Sequence, residues 1–112
     1  SDTYKMTGVI QQMLTIIEQT YGVSLDQHSV NVGRFITHLR YLFVRIHQGK
    51  QLDKEPEPII ASIRQSYPKA MQCAQTIGTV ASLRLGSNLT EDEVAYLALH
   101  VARVVADARK HE

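Results

Sequence analysis

A single cysteine, Cys73, has nothing to pair with inside the chain, so the fold must be held by packing rather than by cross-links, as suits a reducing compartment. No apolar run approaches the roughly 18 residues needed to span a bilayer, and the N-terminus lacks the charged-then-apolar layout of a signal peptide. The chain is therefore expected to be soluble and cytoplasmic, with no membrane insertion. Neither charge sign is in excess. Twelve Lys and Arg against 11 Asp and Glu leave a formal charge of +1, too little to neutralise a run of phosphates, so free-standing nucleic-acid binding is not expected. There is no CxxC, no HExxH and no compact ligand spacing, so a zinc site from His38, His100 and Cys73 has no motif behind it. No Ser or Cys stands in a nucleophile motif either, and we expect neither an enzyme nor a resident cofactor or metal. Strand alternation, internal repeats and low-complexity segments are likewise missing.

What is present is helical periodicity. At 112 residues and 44% hydrophobic content the chain can fill one core but not two. The segment from roughly Thr3 to Tyr21 spaces Met6, Val9, Ile10, Met13, Ile16 and Ile17 as a helix, with Gly22 as its stop. Leu25 to His28 leads into a central helix that runs to about His47 and stops at Gly49. Its stripe of Val32, Phe35, Ile36, Leu39, Leu42, Phe43 and Ile46 keeps the i, i+3, i+4, i+7 spacing of a core-facing surface. Lys50 to Glu57 is a polar loop, in which Lys54, Glu55 and Glu57 read as solvated. A short helix follows from about Pro56 to Gln65. Pro68 opens a fourth helix that carries Ala70, Met71, Ala74, Ile77, Val80, Ala81 and Leu85 and ends at Gly86-Ser87-Asn88; Cys73 reads as a buried small hydrophobe within it. Thr90-Glu91-Asp92-Glu93 is a capping box whose acidic residues oppose the positive end of the helix dipole. Val94, Leu97, Ala98, Val101, Val104, Val105 and Ala108 form the inner face of that last helix. The pattern predicts an all-α, compact five-helix bundle.

Two histidines take equivalent places on this pattern. At about 100° per residue His38 falls roughly 100° from the middle of its apolar stripe, with Arg34, Tyr41 and Arg45 within about 40° of it. His100 falls on the same side of the last helix, with Tyr96 and Arg103 one turn to either side and Asp107 two turns on. A histidine at such a boundary is ordinarily just a half-exposed polar residue. His28, at the approach to the central helix, His47, at its end, and His111, in the C-terminal tail, read as structural or solvent-facing.

The stretch Arg34 to Ile46, with His38 followed seven residues later by Arg45, resembles the first histidine motif of the PTS regulation domain, or PRD. Leu89-Thr90-Glu91-Asp92-Glu93 through Tyr96-Leu97-Ala98-Leu99-His100-Val101-Ala102-Arg103 resembles the second, more specific one. The resemblance extends over nearly the whole chain, including the helix around Tyr67 to Cys73. It implies a domain of the kind found in bacterial antiterminators of the BglG, SacY and LicT type and in some transcriptional activators. The His38-Leu39-Arg40-Tyr41-Leu42 pattern resembles the second, C-terminal copy of the two tandem PRDs usual in antiterminators. The chain would then be a single domain, residues 1–112, excised from a larger regulator.

The resemblance further implies that His38 and His100 are phosphoacceptors, with HPr or a sugar-specific enzyme II of the phosphotransferase system as donor. It implies a homodimer whose packing responds to phosphorylation, and RNA contacted only through a separate domain of the intact protein. Chemically, imidazole is a nucleophile that is appreciably neutral at physiological pH, and a boundary position leaves it open to a donor protein. Arg45, Arg103 and Arg34 are candidates to pair with the resulting dianion. Two other readings stand beside this one: a PRD of a DNA-binding activator, and a plain helical interaction module in which the histidines are incidental.

Overall fold

The computed structural model describes residues 2–51 and 57–110. Expectations for Lys54, Glu55, Pro56 and His111, and for the side chain of Glu57, fall outside the described residues. Five helices make up the described chain: α1 Asp2–Tyr21, α2 Val30–His47, α3 Glu57–Ser66, α4 Pro68–Leu85 and α5 Glu91–Lys110. No strand occurs among the described residues, and the all-α reading stands.

The helix ends are where glycine and side-chain caps put them. Gly22, Gly49 and Gly86 adopt φ of +66°, +71° and +67°, the left-handed conformation that closes a helix without a Cβ clash. Beyond Gly22, the Glu18 carboxylate accepts from the Leu25 N–H at 2.9 Å and ties the first connection back onto α1. The start of α2 is set by Ser29, whose hydroxyl accepts from the Val32 N–H at 3.2 Å. At α5 both arms of the capping box form. The Thr90 hydroxyl accepts from the Glu93 N–H at 3.2 Å, and the Glu93 carboxylate accepts from the Thr90 N–H at 2.8 Å. Glu93 is wholly buried, and its carboxylate also accepts from the Gln51 side-chain amide at 2.9 Å. An exposed ion pair between Arg64 and Glu91 links α3 to α5.

The core is assembled from the apolar stripes. Val9, Ile10, Met13, Leu14 and Ile17 of α1 meet Ala70, Met71, Cys73, Ala74, Ile77 and Ala81 of α4, and the inner face of α5 closes over them. Small residues dominate the α4 face, so α4 and α5 share the most extensive helix pairing in the molecule. On α2 the buried residues are Val32, Phe35, Leu39, Leu42 and Phe43, while Ile36 and Ile46 lie at the core margin. Helix α2 packs against α5 and α1 and against neither α3 nor α4. No helix is long and apolar enough to cross a membrane among the described residues.

Candidate functional site

Helices α2 and α5 run antiparallel where they meet. Phe35 and Arg34 of α2 lie level with Arg103 and Val104 of α5, and Leu42 lies level with Tyr96 and Leu97. The apolar stripes face inward, so the positions displaced to the same side of each stripe meet along the outer seam. His38 and His100 occupy those positions, and their rings stack with centroids 4.6 Å apart and planes 28° apart. Tyr96, one turn before His100, meets the same imidazole edge-on at 4.5 Å and 71°. Both histidines are half-buried.

His100 borders two shallow depressions of opposite character. One is apolar, with Phe35, Leu39, Leu42 and Leu97 beneath His38, Tyr96 and His100. The other is basic, lined by Asn31, Arg34, Phe35, His100, Arg103 and Val104. Burial, then the neighbouring His38, then the Arg103 guanidinium, push the His100 imidazole from 6.5 down to about 4. At neutral pH it therefore carries a free lone pair on one ring nitrogen and a proton on the other, the form that acts as a nucleophile.

The structure thus brings together His38, His100, Arg34 and Arg103. It does not bring Arg45 to either depression; that residue lies two turns beyond His38, and its buried Nε has no hydrogen-bond partner among the described residues. Asn31 joins the site unannounced, since one asparagine near a helix start carries no signal in a sequence. His28 and His47 are exposed, as expected. Cys73 is buried in α4, where desolvation raises its thiol pKa and keeps the nucleophilic thiolate scarce. Among the described residues no three His, Cys, Asp or Glu side chains converge on a point that could hold a metal ion.

The described chain is thus an all-α bundle with a stacked, half-buried histidine pair at the α2–α5 seam and two arginines lining the depression that His100 borders. The chain belongs to the PRD domain family, whose model matches residues 11–104. It is similar to the transcription antiterminator LicT of Bacillus subtilis strain 168, 28% identical over 103 residues that make up 92% of this chain and 37% of LicT. It is also similar to the beta-glucoside operon antiterminator of Dickeya chrysanthemi, 25% identical over 109 residues, 97% of this chain and 38% of the relative. Protein GlcT of Staphylococcus epidermidis is 30% identical over 100 residues, covering 89% of this chain and 35% of GlcT. The chain spans a little over a third of the length of these relatives.

Proposed function

We propose that this chain is one PTS regulation domain of a longer regulator, the second of two tandem copies, and that His38 and His100 accept phosphoryl groups from HPr or a sugar-specific enzyme II. Phosphorylation shifts the packing of a homodimer and so controls RNA-binding antitermination of carbohydrate-utilisation genes, with the RNA held by a separate domain of the same cytoplasmic protein. The domain is a phosphoryl acceptor rather than an enzyme. Support for the regulatory role comes from family membership and from the names of relatives, among them antiterminators of a beta-glucoside operon and of the PtsGHI operon.

The observation that carries the histidine assignment is the stacked pair at the α2–α5 seam, half-exposed and beside Arg34 and Arg103. Transfer needs a lone pair on an accessible ring nitrogen. As that nitrogen bonds to phosphorus, the bond from phosphorus to the donor breaks, and the proton on the other ring nitrogen can be lost to solvent. Self-association is supported by the apolar side chains that α2 turns outward next to the pair, with Val30 75%, Tyr41 65% and Val44 46% exposed.

Incubation with enzyme I, HPr and phosphoenolpyruvate tests the assignment. An acid-labile, alkali-stable phosphate should appear, one site being lost in His38→Ala and the other in His100→Ala. A protein that takes up no label, or labels elsewhere in the double variant, would sink it.

A further inference from the structure

We propose that the basic depression formed by Asn31, Arg34, His100 and Arg103 is a tetrahedral-oxyanion site that holds the phosphoryl group carried by His100, and that His38 has no counterpart to it. The inference rests on the reading of His100 as a phosphoacceptor and adds what receives the charge.

Three observations support it. First, two arginines from different helices, Arg34 from α2 and Arg103 from α5, line one depression with His100, and the Arg103 charge acts on that imidazole. Second, Arg34 and Arg103 line the same depression as His100, whereas Arg64 is held in an ion pair with Glu91. Third, no carboxylate lines the depression; Asp107, one turn beyond Arg103, lines the adjoining one together with Asp26. Two arginines lining a depression that no carboxylate lines give it a positive potential, and their planar forks match tetrahedral oxyanions. The Asn31 amide adds neutral donors. The site sits at the N-terminal turn of α2, where the helix dipole has the same sign.

The depression on the other side of the stack is lined by Phe35, Leu39, Leu42, Leu97 and Tyr96 with the two histidines, and no Lys or Arg lines it. A phosphoryl group on His38 that entered this depression would meet apolar side chains. The two acceptors are therefore unequal: the protomer stabilises phosphate on His100 with its own arginines and offers His38 no equivalent there.

Phosphoramidate tests this without any protein donor. The His100 lone pair attacks phosphorus, the bond from phosphorus to nitrogen of phosphoramidate breaks, ammonia leaves and phosphohistidine remains. Site-resolved mass spectrometry of the wild type should show His100 labelled. Arg34→Ala and Arg103→Ala should each slow that labelling about tenfold, the loss expected for one charge-assisted hydrogen bond, with the lysine variants intermediate and the His38 rate unchanged. Inorganic phosphate should raise the His100 pKa in the wild type and not in the double arginine variant, a readout that a merely structural role would not move. Absence of label on His100, equal slowing at both histidines, or labelling indifferent to both arginines would overturn the site. Arginine-dependent labelling by phosphoramidate alongside no transfer from HPr would keep the oxyanion site and remove the donor assignment. Transfer from HPr that ignores both arginines would do the reverse.

Discussion

His100 is the side chain whose surroundings say most, because two aromatic rings and a guanidinium act on one imidazole. Its folded pKa of about 4 lies below the 6.5 of an unperturbed histidine, so between those values the unfolded chain binds more protons than the folded one. Stability should accordingly be unaffected by this group above pH 6.5 and should fall as the pH drops from 6.5 towards 4. The loss is on the order of 1–2 kcal/mol once solvent screening of a half-exposed ring is allowed for. Denaturant melts across that range should show the slope in the wild type and a flatter curve in His100→Gln. An imidazole titration midpoint near 6.5 by NMR would remove both the effect and the case for a neutral nucleophile. Helical angle alone places His38 and His100 at corresponding boundaries, so their half-buried positions were legible in the sequence. Their stacking was not, because it depends on the direction and level at which α2 crosses α5. The same crossing separates Arg34 from Arg45: the two share a helix face by angle, but only Arg34 lies level with Arg103.

At the scale of the element, α5 is fastened at its first turn by a local and a distant contact. Thr90→Ala removes one arm of the capping box and should cost about 1 kcal/mol. Glu93→Ala should cost more, since it removes the carboxylate that accepts from the Thr90 N–H, takes one of the two acceptors of the Gln51 amide, and leaves a hole where a wholly buried side chain stood. Thermal unfolding of the two variants gives the order, and equal losses would mean that the Gln51 contact contributes nothing. Thr90 and Glu93 are three residues apart, so their pairing is readable from the sequence, as are the helix stops at Gly22, Gly49 and Gly86. The Gln51 contact spans 42 positions and is set by tertiary approach, which no local signal encodes. The Ser29 cap is local as well, yet a polar approach at Leu25 to His28 leaves the first residue of α2 undetermined until the hydroxyl is seen on the Val32 N–H.

For the whole molecule, the proposed switch requires that charge at the histidines reach the interface between two copies. His38→Asp and His100→Asp each add a negative charge beside the outward apolar face of α2 and should change the dimer association constant in a salt-dependent way, whereas alanine at the same positions should not. Sedimentation of the folded variants at low salt reads this directly. Association constants indistinguishable from wild type at both positions would refute the coupling. Arginines reaching across the interface would tighten the dimer, and acidic groups facing it would loosen it.

The placement of α2, against α5 and α1 alone, has a consequence in time rather than in space. A helix secured by two neighbours, in a body only 22 Å deep, can detach while the α4–α5 pair stays closed, so the molecule need not unfold as one unit. Amide hydrogen exchange should then be faster in the middle of α2 than in the middle of α4, and charge at His38 or His100 should widen that gap by weakening the seam. Equal protection along both helices would show that α2 opens only when everything does.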